Sequence, residues 1–405
     1  MIQITDKEKC CGCTACYSIC PKKCIEMKPD EEGFLYPVVD TERCVGCGAC
    51  DKVCPIQNVG GSEKKESLYA AVQYKDEKKR QTSTAGGAFS WIADYILQQD
   101  GVVYAVGYDD MVVCHKSCVN KDGLSEFRGS KYVQSTLNDT FREIKEVLNS
   151  GKVVLFVGTP CQVHGLKNVA GPKENLYTID LLCLGVSSPK LFADWIEYLN
   201  KKYKTHVTNV QFRNKHYGYS TPNVRVFFGN GKEIDQKYDS RVHANLFFRH
   251  LNVRPSCYVC EFREVPRVSD FTIGDFNEIA SVNKAMDDDK GTTKVWVHTA
   301  KGRHLLKNIE GSANLKIIQE NNINIVGGPK KQIKRPEKRE AFFKDSMEMD
   351  YYTLVSKWEP RRWKGEVAGV LRPIINRLPF KAVIFKYLRR KKMRNYQNNV
   401  SALNK

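Results

Sequence analysis

Eight cysteines near the start of the chain fall into two runs with the same spacing. Each run reads C-x2-C-x2-C-x3-C and is followed directly by proline. Three thiolates at this spacing can bind one face of a [4Fe-4S] cluster, while the fourth cysteine reaches the other cluster of a pair. The spacing therefore predicts two [4Fe-4S] clusters. The first set of ligands is Cys10, Cys13, Cys16 and Cys54, and the second set is Cys44, Cys47, Cys50 and Cys20.

A disulfide framework and zinc sites are the alternatives, and both fit this pattern less well. Zinc sites use paired C-x2-C knuckles rather than triplets, and disulfides belong to secreted chains. The N-terminal residues MIQITDKEKCC lack the apolar stretch of a secretory signal, so we expect a cytoplasmic protein with free thiols. Cys11 and Cys24 do not fit the ligand spacing, and we expect them to be structural or incidental. We also expect a structural role for Cys114 and Cys118, four residues apart in a strand pattern.

The four remaining cysteines form a third set of candidate metal ligands. Cys257 and Cys260 make one C-x2-C pair with no neighbouring mate, and Cys161 and Cys183 each follow a predicted strand. Because the ends of neighbouring parallel strands meet at one edge of a sheet, these thiols could converge there. The spacing leaves three interpretations open, namely a third [4Fe-4S] cluster, a zinc ion, or four small core residues.

Three segments carry glycines or polar donors beside predicted helices and loops. Gly158 and Thr159 lead from a strand into a helix, and residues 83–87 lead into another. Free N–H groups at a helix N-terminus, with glycines that permit close approach, suit a phosphate or the edge of a flavin. A helix cap or tight turn is the ordinary alternative for both segments. Residues 129–135 add Lys131 and several donors, for which a solvated surface lysine is the alternative.

The chain beyond residue 68 alternates strand-like and helical runs, which is typical of an α/β domain with a largely parallel sheet. A Gly-Asn-Gly turn at 229–231 predicts an added antiparallel hairpin. The predicted fold class is therefore α/β with α+β elements. The predicted domains are a bacterial-type 2[4Fe-4S] ferredoxin module at 1–59, a linker at 60–67, a mixed-sheet α/β domain for flavin and cluster at 68–335, and a basic helical tail at 336–405.

The formal net charge of +18 is concentrated at the C-terminus. Residues 361–405 contain 13 lysines and arginines against the single acid Glu366. The rest of the chain is only mildly basic, so the total charge does not indicate a nucleic-acid partner. Apolar residues within 383–388 would share one helical face beside the basic run 389–392, as in helices that lie on anionic membranes. Peripheral contact with the inner face of the membrane, docking on a partner protein and a solvated tail all remain open.

Six segments, taken together and in this order, resemble the coenzyme F420 hydrogenase/dehydrogenase beta-subunit family. They are STAGG at 83–87, GSKYVQS at 129–135, GTPCQVHGL at 158–166, LLCLGVSSPKL at 181–191, RPSCYVCEF at 254–262 and VSDFTIGDF at 268–276. The resemblance covers residues 68 to about 310. The preceding two-cluster module resembles that of family members with a ferredoxin in the same chain.

The resemblance implies an oxidoreductase that contains FAD and a third [4Fe-4S] cluster held by the third set of cysteines. Electrons would pass between a redox partner protein or soluble donor, the clusters, FAD and a small two-electron substrate such as the deazaflavin coenzyme F420. The implied flavin-contact residues are Ser83, Thr84, Gly86, Gly87, Lys131, Tyr132, Gln134, Ser135, Gly158 and Thr159. Lys131 is the candidate for stabilising the anionic reduced flavin, and His115 and His164 are candidate proton donors.

Two positions depart from the family pattern. Leu184-Gly185 stands where many relatives have His-Gly, and Asn277-Glu278 stands where they commonly have Trp-Gly. The substrate therefore stays open between coenzyme F420 and another small organic acceptor. The alternative function is a non-catalytic electron-transfer subunit whose large domain binds a partner enzyme.

Overall fold

The computed structural model describes residues 1–58, 67–264, 267–318 and 332–361. All of the predicted linker except its last residue lies outside these ranges. The amphipathic pattern predicted within the C-terminal tail lies outside them as well. None of the helices in the described part of the chain has the length and apolar character needed to cross a membrane.

The N-terminal module consists of two short helices and one antiparallel hairpin. The helices are α1 (Ala15–Ile19) and α2 (Ala49–Val53). The hairpin pairs β1 (Ile25–Pro29) with β2 (Leu35–Val39), so that Met27 lies opposite Pro37. Phe34 and Tyr36 from this hairpin are buried in a core shared with the rest of the protein. The module is therefore packed into the larger fold rather than held beside it.

Two sheets make up the larger part of the fold. Their strands are β3 (Leu68–Tyr74), β4 (Val102–Asp109), β5 (Val112–Cys118), β6 (Val154–Gly158), β7 (Leu176–Leu181), β8 (Val207–Asn214), β9 (Asn223–Phe228), β10 (Glu233–Asp235), β11 (Phe271–Asp275), β12 (Thr293–Val297) and β13 (Ala313–Ile317). The eight-stranded sheet has the order β13-β3-β12-β11-β7-β6-β4-β5, and the smaller sheet has the order β10-β9-β8. In the large sheet β4, β6, β7 and β11 run parallel, whereas the outer pairs are antiparallel. The prediction of a mixed-sheet α/β fold is therefore confirmed.

Helices cover both faces of the large sheet. They and the helices of the smaller sheet are α3 (Glu77–Thr82), α4 (Ala88–Gln98), α5 (Leu124–Phe127), α6 (Thr140–Asn149), α7 (Pro160–Ala170), α8 (Pro189–Tyr203), α9 (Tyr238–Phe248), α10 (Ile279–Val282) and α11 (Ala300–Ile309). Apolar residues of α4 and α11 pack on one face of the sheet, and those of α6 and α7 pack on the other. Helix α4 begins later than its apolar pattern predicts because the Gly86 carbonyl accepts a hydrogen bond from Tyr74 N of β3.

Two further helices, α12 (Arg339–Glu348) and α13 (Tyr351–Trp358), lie within the segment that the sequence assigned to a basic tail. Phe342, Phe343 and Leu354 join the same buried core as Phe34 of the hairpin and Trp195 of α8. The apolar residues of α12 are adjacent rather than spaced in a helical stripe, and charged residues surround them. The pattern therefore gave no sign of a packed helix.

Candidate iron-sulfur site

The first set of cysteines lines one cavity of the N-terminal module. Cys10, Cys13, Cys16 and Cys54 surround this cavity together with apolar side chains that include Ile2. Four thiols around an apolar space match the donor chemistry of a [4Fe-4S] cluster. An apolar surround also limits the access of water to the iron and sulfur atoms.

The second set lines another cavity of the same module. Cys20, Cys44, Cys47 and Cys50 contribute to its wall. Cys24 lies beside them, with its Sγ atom 3.4 Å from that of Cys20. The spacing predicted a structural or incidental role for Cys24, and its thiol contacts a predicted cluster ligand.

The crossing of the fourth cysteines follows from a backbone geometry that the two runs share. Helix α1 begins after Thr14 with φ 62° and ψ 6°, and α2 begins after Gly48 with φ 69° and ψ 5°. Each helix ends at the fourth cysteine of its run, where Cys20 and Cys54 both have φ −65° and extended ψ values of 114° and 116°. This extended residue turns the chain away from its own run. Cys20 and Cys54 therefore each line the cavity of the opposite run, as the spacing predicts.

Three separate parts of the large domain supply the third set. Cys161 is the second residue of α7, Cys183 follows the end of β7, and Cys257 ends a short 3-10 turn that precedes Cys260. Because β6 and β7 are parallel neighbours, α7 and Cys183 leave the sheet at the same edge. The structure thus brings together thiols from residues that are far apart in the sequence.

The four thiols of the third set influence one another electrostatically. Burial, together with the neighbouring Cys161 and Cys260, raises the pKa of Cys183 to about 12. Burial and the other three members of the set also raise the pKa of Cys257. Thiols that oppose one another's ionisation bind as thiolates only where a positive centre offsets their charge, and iron supplies such a centre. The third set therefore fits a metal cluster chemically.

A single metal ion needs ligands that lie closer together than those of a cluster. Within the residues that the structure describes, no group of three or more His, Cys, Asp or Glu side chains is arranged to hold one metal ion. Cysteines that bind different irons of one cluster stand further apart than the ligands of a single ion.

Cys11 lies between the first and third sets, although its place outside the ligand spacing predicted only a structural or incidental role. Its thiol interacts electrostatically with those of Cys13 and Cys161. The interaction with Cys13, together with burial, raises the pKa of Cys11, while the interaction with Cys161 acts in the opposite direction. Helix α7 approaches so closely that a Cβ atom added at Gly165 would lie 2.9 Å from Cys13 Sγ. The two sets are therefore neighbours across the contact between module and domain.

Arg254 lies at the same contact and is fully buried, with 0% of its surface exposed. Its Nε atom donates to Cys10 O at 2.8 Å, and its Nη1 atom donates to Gln134 Oε1 at 2.9 Å. The guanidinium lies over the ring of Tyr36, 4.2 Å from the ring centroid. The sequence included Arg254 in a family-like segment without a role. The feature of the sequence that could have identified Arg254 is its position just before the C-x2-C pair.

Two of the predicted flavin-contact segments meet in the fold. Thr84 Oγ1 and Ser130 Oγ lie 3.1 Å apart, which joins segment 83–87 to segment 129–135. A Cβ atom at Gly86 would lie 2.1 Å from Val72 O, so the close approach of β3 requires glycine there. Gly87 has φ 88° at the start of α4. Tight packing and helix initiation thus account for both glycines in the absence of a ligand.

Lys131 and Tyr132 are held by their own surroundings. Lys131 Nζ donates to Glu126 O at 3.2 Å and lies 5.3 Å from the centroid of the Tyr108 ring. Burial lowers the pKa of Lys131 to about 8. The ring of Tyr132 stacks on Phe247 with centroids 4.9 Å apart. Lys131 is therefore a cation at neutral pH that releases its proton more readily than an exposed lysine.

Gln134 and Ser135 face the cysteine sets. Gln134 Nε2 donates to Cys11 O at 3.4 Å. Ser135 Oγ accepts from Gln162 Nε2 at 3.0 Å and contacts His115 Nδ1 at 3.1 Å. These two flavin-contact candidates are therefore engaged by the contact between the module and α7.

Thr159 continues this hydrogen-bonded chain to the third set. Its backbone N–H donates to Gln162 Oε1 at 2.9 Å in a capping box, and its Oγ1 lies 3.2 Å from Cys161 Sγ. A Cβ atom at Gly158 would lie 2.9 Å from the ring of Phe156. The cap interpretation of this segment therefore describes its geometry, and the capped helix positions a candidate cluster ligand.

The two candidate proton donors are buried histidines. Burial lowers the pKa of His115 to about 4, although the hydrogen bond with Val157 O acts against this shift. His164 packs edge-on to Phe262, and burial lowers its pKa as well. Both rings are therefore neutral near pH 7, so neither is present as the imidazolium ion that would act as a proton donor.

Lys215 holds the predicted flavin-contact segment 83–87 in place, and its buried amine should make the stability of the fold depend on pH. This buried amine donates to Arg80 O, Ala85 O and Lys290 O at 2.7, 2.9 and 2.7 Å. Burial, followed by the charge of Arg80, lowers its pKa from 10.5 to about 7. Between these values the unfolded chain binds a proton that the folded chain lacks, so this group makes folding more favourable as the pH rises. We expect the melting temperature of the wild type, relative to that of Lys215→Met, to increase from pH 7 to pH 10. A difference between the two melting temperatures that does not change with pH would contradict this assignment.

Comparison with known proteins gives two family matches. Residues 9–58 match the 4Fe-4S dicluster domain. Residues 151–322 match the family described as the C terminus of the beta subunit of coenzyme F420 hydrogenase/dehydrogenase. A search of the curated proteins gives no match.

Thirteen chains of solved structures also match. One belongs to "Xenon derivatization of the F420-reducing [NiFe] hydrogenase complex from Methanosarcina barkeri". It is 16% identical in sequence with a TM-score of 0.43, and the match covers 72% of this chain and 92% of that chain.

The two family matches confirm the resemblance predicted from the sequence. The dicluster match includes all eight cysteines of the first two sets, and the beta-subunit match includes the whole third set. The chain is thus related to iron-sulfur electron-transfer oxidoreductase subunits. Its residues 9–58 are similar to a 4Fe-4S dicluster domain, and its residues 151–322 are similar to the C terminus of the beta subunit of coenzyme F420 hydrogenase/dehydrogenase.

Proposed function

We propose that the chain is an iron-sulfur flavoprotein oxidoreductase that moves electrons between ferredoxin-type [4Fe-4S] clusters and, through FAD, a small two-electron substrate. The observation that carries this proposal is the close packing of α7 on the first set, because a Cβ atom at Gly165 would lie 2.9 Å from Cys13 Sγ and Cys161 belongs to the same helix. The first and third sets are therefore neighbours. When bound, iron-sulfur clusters carry single electrons and a flavin exchanges one or two, so together they couple one-electron donors to a two-electron substrate.

In this proposal the third set holds a third [4Fe-4S] cluster beside the module. Helix α7 fixes Cys161 through its N-terminal capping box, and the short turn before Cys260 fixes Cys257. Ser187 and Val253, close to two of the cysteines in sequence, pair with each other as an isolated β-bridge and lie fully buried. The side chains and backbone that position the ligands are thus shielded from water, which strengthens electrostatic interactions with a bound cluster.

FAD would bind near the junction of segments 83–87 and 129–135. The hydrogen bond between Thr84 and Ser130 brings the two segments together, and Lys131 supplies a cation that can stabilise an anionic reduced ring. The substrate is coenzyme F420 or another small organic acceptor. The electron donor is a partner protein or a soluble carrier.

The composition of the anaerobically reconstituted full-length chain tests this proposal. We expect flavin absorbance and about twelve irons per chain, four for each cluster. After reduction by dithionite, oxidised deazaflavin, NAD, NADP and unsaturated organic acceptors would be offered in turn. We expect at least one of them to reoxidise the protein with a stoichiometry of two electrons.

The alternative function gives a different result. A non-catalytic electron-transfer subunit would bind about eight irons in the first two sets and no flavin. None of the organic acceptors would then reoxidise the reduced protein, whereas a one-electron acceptor would.

A further inference from the structure

Five buried arginines in the described residues differ in how their charge is balanced. They are Arg80, Arg254, Arg263, Arg267 and Arg339. Three of them form ion pairs, namely Arg80 with Asp288, Arg267 with Asp180 and Arg339 with Glu32. Within the described residues, Arg254 and Arg263 have no carboxylate within ion-pair distance. A buried guanidinium without a negative partner is costly, so the charge that balances these two must come from another source.

Arg263 lies against the third set from one side. It is 4% exposed, and its Nη2 atom donates to Cys257 O at 3.3 Å. Its Nε and Nη1 atoms are buried and have no hydrogen-bond partner. Its positive charge acts on Cys183 and on Cys260. Two nitrogen atoms of a buried cation, with three N–H groups between them, are therefore available beside three members of the set.

Arg254 approaches from the side of the N-terminal module. Its hydrogen-bond acceptors are two backbone carbonyls and the amide oxygen of Gln134, all of them neutral. The sulfur groups whose charge acts on this guanidinium are Cys10, Cys11 and Cys257. The positive charge of Arg254 thus lies between the first set and the third.

We propose that Arg254 and Arg263 are positioning residues that balance the negative charge of a cluster in the third set and raise its midpoint potential. The inference rests on the proposed function, because it requires the third set to hold a [4Fe-4S] cluster. Reduction adds one electron, breaks no bond and makes the cluster more negative by one charge. Two nearby buried cations favour that more negative state, since net charge and hydrogen bonding set the potentials of such clusters. A cluster in the third set would then receive electrons readily from the two clusters of the N-terminal module.

A redox titration of the reconstituted full-length chain, followed by electron paramagnetic resonance, tests this inference. The signal of the third set is identified as the one that Cys257→Ala removes. We expect Arg263→Met to shift its midpoint potential to a more negative value, and Arg263→Lys to restore most of the wild-type potential. Arg254→Met should shift the third-set signal in the same direction and also that of the first set. Arg80→Met, which removes a buried arginine paired elsewhere, is the matched control and should leave these potentials unchanged.

The possible outcomes separate the inference from the proposed function. About twelve irons with unchanged potentials in both Arg254→Met and Arg263→Met would overturn the inference and leave the third cluster in place. About eight irons in the wild type, with no signal removed by Cys257→Ala, would overturn the proposed third cluster itself. Should Arg263→Met lose iron, Arg263→Gln removes the charge but keeps an amide donor for Cys257 O, and the same negative shift is expected.

Discussion

Replacing Cys257 and Cys260 together with alanine should remove about four of about twelve irons from the reconstituted full-length chain. The substitutions delete two of the four thiolates that make up the third set. The remaining two, Cys161 and Cys183, cannot hold a four-iron cluster alone. We expect reduction of the organic substrate to fall to background, because this set lies next to the module from which electrons arrive. Dithionite should still reduce the two clusters of the N-terminal module. Iron and sulfide analysis, with spectra of the reduced protein, measures the loss.

Cys114→Ala and Cys118→Ala are the matched controls for this experiment. Both residues lie on β5. Cys118 is partly buried, as Cys257 and Cys260 are, and Cys114 is more deeply buried. We expect each variant to keep the wild-type iron content and spectra. Unchanged iron in the double variant of Cys257 and Cys260 would reject the third cluster. A lower melting temperature with full iron content would mean that these two thiols only pack the protein.

The grouping of the candidate ligands into three sets was predictable because each set depends on local spacing or on sheet topology. In the first two sets the cysteines lie within single turns and helix ends, so their spacing encodes the geometry directly. The third set depends on where strands end. Since β6 and β7 are parallel neighbours, residues that follow them reach the same edge of the sheet. Periodicity alone was sufficient for this step because both strands are short, apolar and bounded by turn residues.

The residues that connect the sets could not be predicted in this way. Arg254 donates to the carbonyl of Cys10 across 244 positions of sequence. Cys11 contacts Cys161 only because α7 packs against the N-terminal module. Both contacts arise from packing between separate parts of the chain, for which a single sequence carries no local pattern. The doubled cysteine at 10–11 and the arginine before the C-x2-C pair showed that these residues were unusual, but not what they contact.

The flavin-contact candidates fall into two groups, which the packing of the fold separates and the sequence does not. Thr84 and Ser130 are hydrogen-bonded to each other, so two of the predicted segments are neighbours. Gln134 and Ser135, however, are used by the contact that joins the module, α7 and Arg254. A motif in a sequence identifies residues that belong together without stating whether they bind a ligand or support the residues that do. The hydrogen bonds of the fold make that distinction.

Replacing Arg339 with alanine should lower the free energy of unfolding by about 3 kcal/mol, because it leaves a mostly buried carboxylate without its partner. Arg339 is 2% exposed and binds Glu32 of the N-terminal module through two hydrogen bonds of 2.8 and 2.6 Å. The same guanidinium donates to Val253 O, next to Arg254, at 2.9 Å. Helix α12 therefore ties the hairpin of the N-terminal module to the segment that carries Cys257 and Cys260. We expect earlier thermal unfolding, with faster hydrogen exchange in β1 and β2.

Arg335→Ala is the matched control, because Arg335 belongs to the same segment and pairs with Glu8 and Glu340 while 41% of its side chain is exposed. An exposed pair of this kind contributes less than about 1 kcal/mol. A second variant that replaces both Arg339 and Glu32 with methionine should recover much of the stability, since it leaves no buried charge unpaired. Equal losses in Arg339→Ala and Arg335→Ala would show that the buried pair does not hold the module. A large loss in Arg339→Ala that the double variant reverses would show that the penalty is the unpaired charge of Glu32.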